Sequence, residues 1–275
     1  MVVYWTWGYG WAFRFNGGLV DFGGSGIVHM TGGIAALVGA AVVGPRKGRF
    51  DETMKPIAMP AHNTTFQVLG TMILWVGWYG FNPGSTLALA GQGQIMARAV
   101  LTTTLAAASG GLVTVFFDKM FISHTWDVGM LCNGILAGLV TITAGAAEIQ
   151  PWAAMIVGFL GGFVYLGASK TVLHICHVDD PLDAFAVHGA CGAWGVISCA
   201  LFAAGFPGRR EGLFYGDGAP LVAGLVFILA NIAWTGGLAV IMFVSIKMAG
   251  LLRVSAEVED RGMDISKHGG SAYVV

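Results

Sequence analysis

Charge is what this sequence has least of. Only 11% of its 275 residues are charged, 14 basic and 15 acidic, against roughly a quarter in soluble domains. So few charges cannot cover the surface of a water-soluble globule, and that class is excluded. The net charge is -1, and without a basic excess to neutralise phosphates a nucleic-acid partner is excluded as well. Cysteine is sparse too. Cys132, Cys176, Cys191 and Cys199 stand singly with no CxxC pair, so neither a zinc site nor a disulfide framework is signalled. The stretch 1–11 has no basic n-region and no small-residue cleavage site, so no signal peptide is read there. No cofactor is indicated. What fills the chain instead is apolar: 56% hydrophobic residues with 43 glycines, at a mean hydropathy of +0.73. High apolar content with low net charge excludes disorder and leaves a membrane protein.

The charges cut the chain into apolar runs at 22–45, 56–97, 99–117, 128–147, 149–169, 184–208 and 218–246. Each reaches the roughly 20 residues a helix needs to cross about 30 Å of hydrocarbon. Within the long second run, 64–81 is the apolar centre, and Asn82-Pro83-Gly84-Ser85 followed by Gly91-Gln92-Gly93-Gln94 reads as a loop. The expectation is an all-α polytopic membrane protein with seven spans. A β-barrel is excluded because the runs are continuous rather than alternating. Gly134-x-x-x-Gly138 and Gly158-x-x-x-Gly162 offer grooves for close helix packing, as in any multi-helix bundle.

Basic residues set the expected orientation. One set of alternate loops carries Arg46, Lys47, Arg49, Lys55, Lys119, Lys170, Lys247, Arg253, Arg261 and Lys267; the other carries only Arg14, Arg98, Arg209 and Arg210. That asymmetry puts the C-terminus in the cytoplasm and the N-terminus outside. The aromatics of 1–11 look like the outer end of a helix whose body is absent, so the chain is expected to be truncated.

Ionisable residues deep in a membrane are costly and therefore candidates for function. Here they form a repeat. Asp21-Phe-Gly-Gly-Ser-Gly-Ile-Val28-His29 and Asp180-Pro-Leu-Asp183-Ala-Phe-Ala-Val187-His188 both read D-x6-V-H, and both are followed by x3-G at Gly33 and Gly192. The alternation of loops sends one copy in from each face, the pattern of an inverted-topology repeat with its site near the midplane. Eight residues at 1.5 Å each carry a histidine about 12 Å in from its helix start, close to half the hydrocarbon thickness of roughly 15 Å.

Three readings compete for His29 and His188. Each imidazole can be a hydrogen-bonded packing residue. The pair can ligate a metal, although no third ligand stands at helical spacing. Or the two line a conduction path as neutral groups able to donate or accept a proton, and this reading leads. For Asp21, Asp180 and Asp183 the leading role is structural, as caps of the two helix starts. A seven-span receptor of the rhodopsin kind is a rival, but it gives the Asp–His repeat no place, and Lys247 lies at the end of the last span rather than its middle.

With those residues in view, the chain resembles the ammonium transporter family (Amt/Mep/Rh), closer to its plant and algal branch. The matching stretches are DFGGSGIVHMTGG from Asp21, GPRKGRFD from Gly44, LWVGWYGFNPGS from Leu74, CNGILAGLVTIT from Cys132, DDPLDAFAVHGACG from Asp179 and GMDISKHGGSAY from Gly262. The resemblance implies an eleven-helix protomer with an inverted repeat, a homotrimer with one pore per subunit, and no enzymatic activity. It implies pore roles for His29, His188, Phe81 and Trp78, with Phe81 as the lower of two gate phenylalanines. It further implies an outer recruitment site of Trp7, Ser85 and Asp21. The implied substrate is ammonium or ammonia, with methylammonium as analogue, carried across the plasma membrane. About four N-terminal helices of the family pattern have no counterpart here, so an incomplete, inactive fragment stays open, as does a non-conducting ammonium sensor. The expected division is a membrane domain over 1–252 and a cytoplasmic tail over 253–275. In that tail Ser266 stands where plant relatives carry a phosphorylated threonine, which implies a kinase acting on it.

Overall fold

The computed structural model describes residues 1–272; Tyr273, the last residue of the tail motif, lies outside them. Among the described residues seven long helical rods make up the fold: α1 (Ser25–Val43), α2 (Thr64–Gly84), α3 (Gly93–Phe121), α4 (Val128–Thr143), α5 (Pro151–His174), α6 (Phe185–Phe202) and α7 (Ala219–Met248). Five of them, α1, α3, α5, α6 and α7, are long and apolar enough to cross a membrane. Helix α4 has only 16 residues, but its chain continues through the buried turn 144–149. The outward faces are apolar; on α7, Leu229 and Ile241 are mostly exposed, as lipid contact requires.

Two span boundaries depart from expectation. Asn82, Pro83 and Gly84 are the last turn of α2 and not a loop. Asn82 is fully buried and donates from Nδ2 to Thr103 Oγ1 at 2.9 Å, which holds that turn helical through the proline. Helix α3 likewise starts at Gly93, ahead of Arg98. The Arg98 guanidinium is accommodated by lying 3.1 Å over the Phe206 ring and donating to the Ala147 carbonyl at 3.2 Å.

The small-residue motifs both close on α3. A Cβ on Gly138 of α4 or Gly158 of α5 would lie 2.2 Å from the Ala106 carbonyl oxygen, and one on Gly110 would lie 2.6 Å from that of Gly134. Only glycine permits these approaches. The result is a tight α3–α4–α5 block against which α2 and α6 pack, with α1 and α7 paired on the far side.

At the end of the bundle carrying 44–49, the tail is fastened to its own chain. Lys47 donates its backbone N–H to Glu259 at 2.7 Å and pairs with Asp260 at 2.5 Å. Arg253 pairs with Glu259 at 2.8 Å.

Candidate functional site

The two D-x6-V-H segments start α1 and α6, and the two helices cross antiparallel. Gly33 meets the backbone of Gly189, and Gly192 meets Met30; a Cβ on either would approach within 2.7 Å. Each copy's trailing glycine therefore packs on the residue that follows the other copy's histidine. This reciprocal crossing brings the imidazoles face to face, with ring centroids 5.3 Å apart and planes 16° from parallel. His188 Nδ1 and His29 Nδ1 stand 3.2 Å apart.

Both copies also reach the crossing by the same unusual backbone. Ser25–Met30 and Phe185–Ala190 are π-helical turns, a widened geometry common at functional sites. In front of each, the residue three after the leading aspartate has left-handed φ: Gly24 at 99° and Asp183 at 52°. Asp21 accepts N–H bonds from Gly24 (3.0 Å), Gly26 (2.9 Å) and Ile27 (3.0 Å). Asp180 accepts one from Phe185 at 2.8 Å, the position equivalent to Gly26. Asp183 does not cap: its carboxylate turns to α5 and accepts from Tyr165 Oη and Ser169 Oγ, both at 2.9 Å. A capping residue typically has β-region backbone, and Asp183 at φ 52° does not, so the expected cap is not made.

His29 is enclosed by rings. Trp78 stacks on it at 5.1 Å and 14°, and Phe81 tilts against it at 5.6 Å. Trp78 Nε1 donates to Thr143 Oγ1 at 3.0 Å, which fixes the indole. Among the described groups, His29 Nε2 is buried with no hydrogen-bond partner.

Beyond Phe81, which is 39% exposed, opens a cavity of about 550 Å³ lined by Trp7, Asp21, Phe22, Ser85, Glu148 and Arg209 among others. The three residues expected at a recruitment site thus share one vestibule. Trp7 donates Nε1 to the Asp21 carbonyl at 2.9 Å and keeps 45% of its surface exposed. Ser85 donates its hydroxyl to Phe81 O at 2.8 Å, leaving its lone pairs as acceptors. Ser266 lies at the opposite end in the Met263–Lys267 helix; among the described residues its buried Oγ has no hydrogen-bond partner.

Several participants escape sequence reasoning. Asn82, beside Phe81, has a buried Oδ1 with no donor among the described residues. Asn231, fully buried in α7, donates to the Gly26 carbonyl at 3.1 Å and to Thr31 Oγ1 at 3.0 Å, bracing the first π turn. Glu148, which pairs with Arg209, stands in the sequence as the single charge between two apolar runs, and that position is its signal.

Antiparallel repeats crossing at paired histidines inside an apolar bundle define a membrane protein of the inverted-repeat transporter type. Comparison with known proteins gives the family. The profile of the Ammonium Transporter Family matches residues 1–273. Ammonium transporter 1 member 2 of Oryza sativa subsp. japonica is 43% identical over 301 residues, covering 99% of this chain and 60% of its own. Ammonium transporter 1 member 1 of Arabidopsis thaliana is 43% identical, covering 100% of this chain and 60% of its own. Among solved structures, a Sensor Amt Protein superposes with a TM-score of 0.86 at 31% identity, over 94% of this chain and 62% of that one. Saccharomyces cerevisiae Mep2 superposes at 0.81 with 29% identity, over 92% and 58%. The chain belongs to the ammonium transporter family. It spans about 60% of the length of these curated relatives.

Proposed function

We propose that this chain moves ammonium or ammonia across the plasma membrane, with the vestibule outside and the tail in the cytoplasm, as a subunit of a homotrimer. The observation that carries the reading is the contact between His29 and His188 across the repeat, with His29 Nε2 unpartnered behind Phe81.

The chemistry follows from the geometry. Trp7 offers a cation an aromatic face worth about 0.5–2 kcal/mol, and Ser85 offers an oxygen that accepts an N–H hydrogen bond, which ammonium can donate and potassium cannot. Past Phe81 a bare cation is expensive: about 2.5–3.5 kcal/mol for a charged group at mid-bilayer, roughly a hundredfold in occupancy. Ammonium escapes that cost by leaving its proton to water in the vestibule and crossing as neutral ammonia, a route closed to potassium. Facing Nδ1 atoms share one proton, so a neutral pair holds two opposite tautomers. One Nε2 is then an acceptor and the other a donor. Exchanging these roles takes transfer of the shared proton together with gain of a proton at the accepting Nε2 and loss of one from the donating Nε2. The histidines thus offer hydrogen bonds along the passage without a fixed charge.

The likeness to a Sensor Amt Protein favours a second reading, ammonium sensing without flux. Methylammonium uptake in cells lacking their own ammonium transport separates the two. Saturable uptake supports transport; binding without uptake supports the sensor.

The tail serves regulation in this reading. Ser266 is a kinase target whose buried hydroxyl becomes accessible only when the Met263–Lys267 helix lifts. A phosphate there adds about -1.5 to -2 charge near Asp264 and keeps the tail from seating. Ser266→Asp should suppress uptake in mixed trimers beyond the mutant share; suppression merely in proportion would leave the pores independent.

A further inference from the structure

The vestibule holds two carboxylates with different commitments. Those of Asp21 are spent on backbone N–H groups of the first π turn. Glu148, in the turn between α4 and α5, is 3% exposed. One of its oxygens pairs with Arg209, and the other is buried with no partner among the described groups. A half-paired carboxylate is an incomplete arrangement for so buried a group.

What Arg209 does completes the picture. Its guanidinium carbon lies 5.3 Å from the centroid of Phe22, so it sits against a carboxylate and an aromatic ring at once. Those two features hold ammonium-type cations, and both Phe22 and Glu148 line the vestibule with Trp7 and Ser85. Arg98 lies near enough to act on Glu148 by charge, but Phe206 takes its guanidinium face and the Ala147 carbonyl its hydrogen bond, so it does not pair the free oxygen. The Arg209 side chain is 25% exposed, which gives it a way out to water.

We propose that Glu148 and Phe22 form a second cation site in the vestibule, occupied in this structure by the chain's own Arg209, which a substrate cation displaces. This rests on the transport reading above. Arg209 is a tethered competitor, and the apparent affinity for substrate is reduced by the fraction of time it occupies the pocket. Exchange conserves charge at Glu148: the guanidinium leaves to water as the cation arrives.

The test is a double-mutant cycle on methylammonium uptake, with protein in the membrane quantified for each variant. Arg209→Gln is expected to lower KM about threefold or more, and Glu148→Gln to raise it about as much. In the Glu148→Gln background, Arg209→Gln should change nothing. An equal fall in both backgrounds would reduce Arg209 to through-space repulsion and overturn the site. Guanidinium chloride is a second probe that does not need the Glu148→Gln protein to fold. Free guanidinium should inhibit Arg209→Gln strongly and the wild type weakly; equal inhibition overturns the proposal. If the wild type takes up no methylammonium, the transport reading fails, and calorimetry of guanidinium binding to purified Arg209→Gln against wild type still decides the pocket: binding confined to the variant supports it, and binding to neither overturns it.

Discussion

The two halves of the site, 21–33 and 180–192, build one backbone from different side chains. Each has a leading aspartate that bonds the N–H five residues on, a left-handed residue at the third step, a π turn, a histidine at the eighth and a crossing glycine at the twelfth. The support differs. In the first half the left-handed residue is Gly24, which adopts φ of 99° without Cβ strain, and one carboxylate, Asp21, takes three N–H bonds. In the second half the same step is Asp183, a residue type that tolerates this region, and the hydroxyls of Tyr165 and Ser169 hold it there. The first half's aspartate anchors on its own backbone, Phe22, Gly23 and Ser25 tie its start to the end of α4, and its mouth opens on Trp7 and the cavity. The second ties its mouth to α5. One backbone thus serves an open end and a packed end.

The largest effect expected is at the crossing. If the halves are functionally equivalent, His29→Ala and His188→Ala should each cut methylammonium uptake more than about tenfold, with the protein still reaching the membrane; tenfold corresponds to about 1.4 kcal/mol. Near-wild-type flux in either variant would return that histidine to a packing role. A large loss in only one would break the equivalence and assign conduction to that half.

The difference in support predicts losses of different origin at the two left-handed positions. Gly24→Ala places a Cβ 2.8 Å from Val28 Cγ2 and 3.2 Å from Trp7 at positive φ, and should cost about 1–3 kcal/mol. Asp183→Gly relieves backbone strain worth roughly 1 kcal/mol but forfeits two charge-assisted bonds worth about 1.5–3 kcal/mol each, so it should also destabilise, by less than their sum. Thermal unfolding in detergent measures both. An Asp183→Gly protein as stable as wild type would show that the bonds to the α5 hydroxyls contribute no more than the strain they offset, about 1 kcal/mol.

A smaller effect is expected at the open mouth. Trp7→Leu removes an aromatic face worth about 0.5–2 kcal/mol to a cation, so half-saturation by methylammonium should shift about twofold to thirtyfold upward while melting changes little. An unchanged concentration dependence would make Trp7 part of an interfacial aromatic belt.

How much of this was legible follows from what makes a pattern. The histidines stood out because a repeated spacing of rare intramembrane ionisable residues has few structural explanations, and the seven helices because apolar runs are long. The π turns were not legible: six residues are too few for periodicity to separate a π turn from an α turn. Asp183 was misread because a letter does not reveal a left-handed φ, and only alignment with Gly24 exposes it. Asn82, Asn231 and Glu148 are single polar residues whose partners, Thr103, Gly26 and Arg209, lie far along the chain, so no local spacing announces them.

The smallest effect concerns how the packed half is held to the end of α1. Asp179, next to Asp180, accepts from the Arg46 backbone N–H at 2.9 Å and from its side chain at 2.8 Å, and Arg49 lies 3.2 Å away. Burial pushes the Asp179 carboxyl up, but the hydrogen bonds and charges of Arg46 and the charge of Arg49 outweigh it and hold the group below the usual carboxylate range. A depressed carboxyl contributes stability that is present above its unfolded pKa, about 3.9, and is lost as pH falls through the folded value. Because the Arg46 side chain is 42% exposed, solvent screening limits the contribution to about 1 kcal/mol. Asp179→Asn should therefore melt slightly below wild type at pH 7, and the gap should close as the pH is lowered past 4. A gap that persists in acid would mean that Asp179 acts through packing and hydrogen bonding rather than charge, and that the ion pair does not fasten the second half to the first.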